Sequence, residues 1–86
     1  MIIEINVAYK SPCGTTDDTL ICTIPFKTDP DGIIETVQNQ IDEWYVETVT
    51  EEFSTYFKEN GGGTDYEYEN QLDDYFSKTE LFIDVD

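Results

Sequence analysis

The chain has 86 residues, of which 20 are Asp or Glu, four are Lys and none is Arg or His, so its formal net charge at pH 7 is −16. This charge excludes direct binding to nucleic acids and to anionic membrane surfaces, because both are themselves negatively charged. Without His there is no side chain of ordinary neutral pKa to act as a general base, and without Arg there is no phosphate clamp.

A chain of 9.9 kDa builds a single core, so we expect one acidic α+β domain over residues 1–86. Aromatic residues make up 14% of the chain, which is more than disordered acidic segments carry. The N-terminus lacks the basic region and long apolar run of a signal peptide, and no apolar stretch is long enough to span a bilayer. We therefore expect a cytoplasmic protein.

The N-terminal part is predicted to form an antiparallel β-hairpin over residues 1–27. Residues 2–9 and 19–27 alternate between apolar and polar side chains, which is typical of half-buried strands. The inward positions are Ile3, Ile5, Val7 and Tyr9 in the first strand and Leu20, Cys22, Ile24 and Phe26 in the second. Pro25 indicates an edge strand or an unpaired position, and residues 11–19 are of the types common in turns, although the segment is slightly long for a tight hairpin loop.

Two helices are predicted next, over about 30–46 and 50–59, with a kink near Thr48. Asp29 is a suitable cap and Pro30 fits the first helical turn. The apolar stripe that begins at Ile33 and the later one at Val49, Phe53, Tyr56 and Phe57 are rotated by about 120°, so one straight helix could not bury both against one sheet. Thr48 and Glu51 have capping-box spacing. A strand over residues 45–50 is the alternative.

The Gly-rich segment 60–63 is predicted to end the second helix, and a third short helix is predicted over about 67–77. Residues 64–69 alone also fit a strand. Residues 79–85 alternate with Leu81, Ile83 and Val85 on one face, which predicts a third strand. The expected fold is therefore α+β with the order β-β-α-α-α-β: a small antiparallel sheet of about three strands with helices packed on one face.

The exposed apolar residues of the sheet and the two cysteines bear on oligomeric state and on disulfide formation. The outer sheet face would expose Ile2, Ile21 and Phe82, either as scattered surface residues or as a homodimer contact. Cys13 and Cys22 are too few for a secreted disulfide framework, so we expect two free thiols, although both flank the hairpin and could pair.

No reaction is indicated by the sequence, and we expect no enzyme, no cofactor and no metal site. Nucleotide-binding glycine motifs are absent, two cysteines without His cannot form a standard zinc site, and adjacent carboxylates are expected by chance among 20 acids. Asp29, Asp31 and Gly32 superficially match a calcium loop, but the glycine falls at position 4 rather than 6. Weak, nonspecific divalent binding is the remaining expectation.

The acidic residues themselves form the candidate site, for contact with a partner protein. On the first helix, Glu43, Glu47 and Glu51 repeat at i, i+4, and Glu35 and Asp42 form a second line. A second cluster interleaves acids with tyrosines: Asp65, Tyr66, Glu67, Tyr68, Glu69, Asp73 and Asp74. A row of fixed carboxylates could enter a protein groove built for phosphates, with tyrosines adding contact area. The alternative is a solvated acidic face that only keeps the protein soluble.

In size and charge over its whole length, the chain resembles the small acidic DNA-mimic inhibitors of phages, which include anti-CRISPR and anti-restriction proteins. The resemblance implies stoichiometric inhibition of a basic nucleic-acid-binding protein, either a CRISPR effector blocked at its DNA- or PAM-binding site or a restriction enzyme. It assigns no role to any single residue. The alternative is an acidic interaction module, such as an immunity protein or antitoxin bound to a basic toxin or nuclease.

Overall fold

The computed structural model describes residues 1–85, and of Val85 only the backbone. It contains the hairpin strands β1 (Ile2–Ser11) and β2 (Gly14–Thr23), the helices α1 (Pro30–Glu59) and α2 (Asp65–Ser77), and the strand β3 (Glu80–Val85). The sheet is antiparallel with the order β2-β1-β3. The α+β class, the three-stranded sheet and the helical layer on one face are confirmed, but the helices number two rather than three.

The hairpin is tighter than expected, because its loop consists of Pro12 and Cys13 alone. Ser11 pairs directly with Gly14, whose φ of +128° is a backbone conformation open to glycine. The second strand therefore runs over 14–23 instead of 19–27. Leu20, Cys22 and Ile24 are buried as predicted, whereas Phe26 lies beyond the strand and is 93% exposed, so its inward assignment is wrong.

Helix α1 is one unbroken helix of 30 residues, so the predicted kink near Thr48 and the alternative strand over 45–50 are both wrong. Asp29 caps it by accepting a hydrogen bond from the Gly32 amide at 2.7 Å. The two rotated stripes are both buried because they meet different partners. Ile41 packs on the aliphatic side chains of the hairpin, and Val49 and Phe53 pack on Tyr9 and on Tyr75 of α2.

Packing against two partners also explains why β-branched residues around Val49 do not end the helix. Their intrinsic cost is a few tenths of a kcal/mol each, whereas the burial of Val49 and of Phe53 contributes about 1.5–3 kcal/mol each. The helix ends at Asn60, where Gly61 and Gly62 adopt positive φ and the Gly62 amide donates to the Phe57 carbonyl at 2.8 Å. The predicted stop at residues 60–63 is confirmed.

Helix α2 begins at Asp65, two residues earlier than the sequence predicts, with Thr64 as its cap, so the alternative strand over 64–69 is wrong. Strand β3 then pairs with β1, which places Leu81 opposite Tyr9 and Ile83 opposite Val7. Leu81 packs on the core, but Ile83 is 45% exposed because β3 is a sheet edge. The inward side chain predicted for Val85 lies outside the described residues.

The outer face of the sheet remains uncovered by other described residues. Ile2, Ile21 and Phe82 are exposed there, as expected. They do not form one patch, because Phe82 lies opposite Ala8 while Ile21 lies opposite Glu4, four residues away along β1. The molecule as a whole measures 50 × 22 × 17 Å, and its length is set by α1, which at about 1.5 Å per residue spans about 45 Å.

Candidate protein-interaction surface

A line of exposed carboxylates, which we name the α1 row, consists of Glu43, Glu47 and Glu51. Each step of four residues rises by about 6 Å and turns by about 40°. The buried stripe of α1 turns in the same sense between Ile41 and Phe53, so the row stays on the solvent side along its length. Fixed spacing along one solvent-facing line is therefore a property of this surface.

The second predicted line on α1, Glu35 and Asp42, is also exposed. These residues lie roughly 100° around the helix from Glu43, so they run beside the α1 row rather than extending it. The Asp42 carboxylate accepts a hydrogen bond from the Gln38 side-chain amide at 2.9 Å. Helix α1 thus presents two separate acidic lines, Glu35 and Asp42 in its N-terminal half and the α1 row from Glu43 to Glu51.

The acids of α2 are exposed, and Asp65, Glu69 and Asp73 repeat at i, i+4 with the same spacing as the α1 row. Asp65 and Glu67 lie in its first turn, where the positive end of the helix dipole stabilises negative charge. Glu67 and Asp74 lie on the other side of the helix from the line of Asp65, Glu69 and Asp73. Asp74 also forms an ion pair with Lys78 at 2.8 Å, which raises the pKa of Lys78, so part of the negative charge of α2 is locally balanced.

The two tyrosines predicted to contact a partner differ in position. Tyr66 is 77% exposed on the outer side of α2. Tyr68 is half-buried, its hydroxyl lies 2.6 Å from that of Ser54, and its ring packs on Phe53 and Phe57. Tyr66 is therefore available to a partner, whereas Tyr68 mainly holds α2 against α1.

Among residues 1–85, the Lys78–Asp74 contact is the only ion pair. No cation lies within ion-pair distance of Glu43, Glu47 or Glu51 in that part of the chain. The charges of the α1 row are therefore uncompensated by the protein itself, and counterions or a cationic partner must screen them.

Glu52 is not among the residues that the sequence predicts for the candidate site, but its carboxylate lies in a hydrogen-bonded network. Its carboxylate accepts hydrogen bonds from the Tyr75 hydroxyl at 2.7 Å and from the Ser11 hydroxyl at 3.0 Å. Ser11 is buried, and its oxygen also accepts from the Cys13 amide at 3.2 Å. This network ties the hairpin loop to both helices. The sequence does indicate that Glu52 faces the core, because on a helical wheel it lies within about 20° of Ile41.

The tyrosines around Glu52 have shifted acidities. Burial, a side-chain hydrogen bond with Cys13 and the Glu52 carboxylate raise the pKa of Tyr75, and burial raises the pKa of Tyr9. Both phenols therefore stay protonated as hydrogen-bond donors. No buried side-chain nitrogen or oxygen of the described residues lacks a hydrogen-bond partner, so this arrangement is a structural clamp.

Cys13 and Cys22 are both free thiols, the first exposed and the second buried. Cys13 is in the hairpin loop and Cys22 is near the open end of β2, which at about 3.3 Å per residue separates them by almost 30 Å. A disulfide needs Cα atoms within about 7 Å, so the two cannot pair in this fold.

Neither described helix has an apolar stretch long enough to cross a membrane. Over residues 1–85, no three carboxylate or thiol side chains converge as metal ligands do. Comparison of the chain with protein-family models, with curated proteins and with solved structures finds no match.

Proposed function

We propose that this protein is an acidic DNA-mimic inhibitor that occupies the nucleic-acid-binding site of a host defence enzyme. The most specific form of the proposal is an anti-CRISPR protein that blocks the DNA- or PAM-binding site of a CRISPR effector. In this role the protein is not an enzyme. It acts by stoichiometric binding and needs no cofactor.

The observation that carries the proposal is the α1 row on an unbroken helix of 30 residues. Its carboxylates stand about 6 Å apart along the helix axis. A groove that binds a polynucleotide presents Lys and Arg side chains to a regular line of phosphates. A line of carboxylates with regular spacing presents the same sign of charge to the same cations.

Rigidity supports the same interpretation. The helix segment that carries the row is held on its other side by Ile41, Val49 and Phe53, each 2% exposed or less. A partner that binds this surface does not have to order it first, and the absence of that entropy cost favours affinity.

The cost of the row to the protein itself also supports a use for it. Like charges at i, i+4 destabilise a helix by about 0.2–0.5 kcal/mol per pair, and a net charge of −16 adds general self-repulsion. A lysine in the middle of the row would remove the like-charge pairs and reduce the general self-repulsion, yet the row contains none.

Helix α2 supplies a different kind of contact. Tyr66 is exposed beside Asp65 and Glu67, and exposed tyrosines next to charged groups are frequent anchors in protein interfaces. In the proposed complex, the α1 row faces the cationic groove and Tyr66 contacts the rim.

The test measures inhibition of DNA cleavage by purified RNA-guided nucleases and restriction enzymes, with added protein titrated against DNA at low and high salt. Binding is expected to compete with DNA and to weaken steeply with salt. The Glu43→Lys/Glu47→Lys double variant should lose about tenfold or more in affinity, which is about 1.4 kcal/mol.

The matched control is Glu4→Lys/Glu59→Lys, which changes net charge by the same amount at exposed sites outside the row. Equal losses in the two double variants would show that total charge, and not the row, is recognised. Tight binding to a toxic nuclease without competition from DNA would instead support an immunity protein or antitoxin.

A further inference from the structure

The uncovered outer face of the sheet contains a groove of about 590 Å³. Its floor is Ala8 on the central strand, with Asp17 beside it on β2 and Phe82 beside it on β3. The next row of the same face places Asn6 between Thr19 and Asp84. Ala8 has the shortest side chain of the six.

The walls of this groove combine an aromatic ring with two carboxylates. Phe82 is 51% exposed, so one face of its ring borders the groove. Asp17 and Asp84 are exposed at opposite corners, and neither has an ion-pair partner within residues 1–85. Asn6 accepts a hydrogen bond from the Thr19 hydroxyl at 3.1 Å, which fixes the second row.

The dimensions suit a planar cation. With strands about 4.8 Å apart and about 3.4 Å per residue, the Cα atoms of Asp17 and Asp84 lie about 12 Å apart. Their side chains project from the same face of the sheet, so a guanidinium group placed between them can donate to both carboxylates when these lean toward it. Such a group would also lie over the Phe82 ring, where cation–π attraction applies.

We propose that this groove binds an arginine side chain of a partner protein. The guanidinium donates to the Asp17 and Asp84 carboxylates, and its flat face and methylene stem lie on Phe82 and Ala8. This surface is on the opposite layer from the α1 row, and the proposal does not depend on the proposed inhibitory function.

Other occupants fit the observations less well. A second copy of this chain would bring identical carboxylates together at a net charge of −16 for each molecule, and the repulsion opposes contact. An uncharged apolar segment would bury two carboxylates without compensation. The nearest cation on this face, Lys10, lies one row beyond Ala8 and opposite Glu80, so it does not neutralise Asp84.

The experiment titrates the isotope-labelled protein with acetyl-glycyl-arginyl-glycinamide and follows backbone amide shifts by NMR. The same peptide with citrulline, which has the shape of arginine without its charge, is the ligand control. We expect arginine-dependent shifts centred on Ala8, Asp17 and Phe82, and at least tenfold weaker binding of the citrulline peptide.

Two variants locate the site. Asp17→Asn/Asp84→Asn preserves side-chain shape and should weaken binding about tenfold, and Ala8→Leu should fill the groove and abolish it. Thr23→Leu, on the same outer face but outside the groove, should have no effect. Shifts that centre on the α1 row, equal binding of the citrulline peptide, or unchanged binding by Asp17→Asn/Asp84→Asn would each overturn the proposal.

Discussion

The two ends of α1 rest on cores of different chemistry. Toward its N-terminus, Ile41 packs on the aliphatic side chains Ile5, Val7 and Leu20 of the hairpin. Toward its C-terminus, Val49 and Phe53 pack on Tyr9 and Tyr75, in a cluster of aromatic rings 5–7 Å apart. Trp44 contacts both cores, and its indole N–H donates to the Asp18 carboxylate at 3.2 Å.

The difference shows how so acidic a chain folds around one long helix. The aliphatic core needs only the sheet, whereas the aromatic core also needs α2. Among the described residues, the aliphatic core contains no charged side chain. The aromatic core borders one carboxylate, that of Glu52, which accepts hydrogen bonds from Ser11 and Tyr75. The remaining acids of α1 stay exposed.

The largest expected effect comes from emptying the aromatic core. Phe53 is 1% exposed and its ring contacts those of Tyr56, Phe57, Tyr68 and Tyr75. Phe53→Ala should lower the free energy of unfolding by about 3–5 kcal/mol, measured by urea denaturation. Hydrogen exchange should accelerate more in α2 than in β1, because α2 packs only on this core.

The matched variant for the aliphatic core is Ile41→Ala, with an expected loss of about 2–5 kcal/mol. It should accelerate exchange in the hairpin at least as much as in α2. If both variants accelerate exchange uniformly over the chain, the two cores open as one cooperative unit and the distinction drawn between them is wrong.

An intermediate effect is expected from the half-buried carboxylate of Glu52 beside the aromatic core. Glu52→Ala removes the acceptor of the Tyr75 and Ser11 hydroxyls and should lower the free energy of unfolding by about 1–3 kcal/mol. Its neighbour is the control: Glu51→Ala makes the same change in helix propensity and charge at an exposed site and should alter stability by less than about 0.5 kcal/mol. Equal losses of stability at the two positions would show that the hydrogen bonds of Glu52 do not stabilise the fold.

The smallest effect concerns alkaline pH. The folded protein holds the pKa of Tyr9 and Tyr75 above the ordinary value of 10.0, so above that pH the unfolded chain binds fewer protons than the folded one. Stability from these phenols is thus fully present below about pH 10 and decreases as pH rises further. Thermal unfolding as a function of pH should show this slope, and Tyr75→Phe should reduce it. An unchanged slope would show that Tyr75 titrates alike in both states.

Local patterns were sufficient for several elements. Alternation predicted β1 and the outer position of Phe82, the Asp29–Pro30 pair predicted the start of α1, and the glycines at 61–63 predicted its end. The exposure of Glu43, Glu47 and Glu51 followed from helical spacing. Each of these depends on residues within one or two turns of chain, so the physical cause is present in the local sequence.

Contacts between distant segments decided the rest. The sequence by itself determined which side chains on α1 are apolar and at what angles, but not that α2 would return to bury the second stripe, and so the helix was wrongly divided near Thr48. In the same way, the inward turn of Glu52 depends on Ser11 and Tyr75, and the outer groove depends on the register that places Ala8 between Asp17 and Phe82. Burial is a relation between segments, and only the tertiary structure brings those segments together.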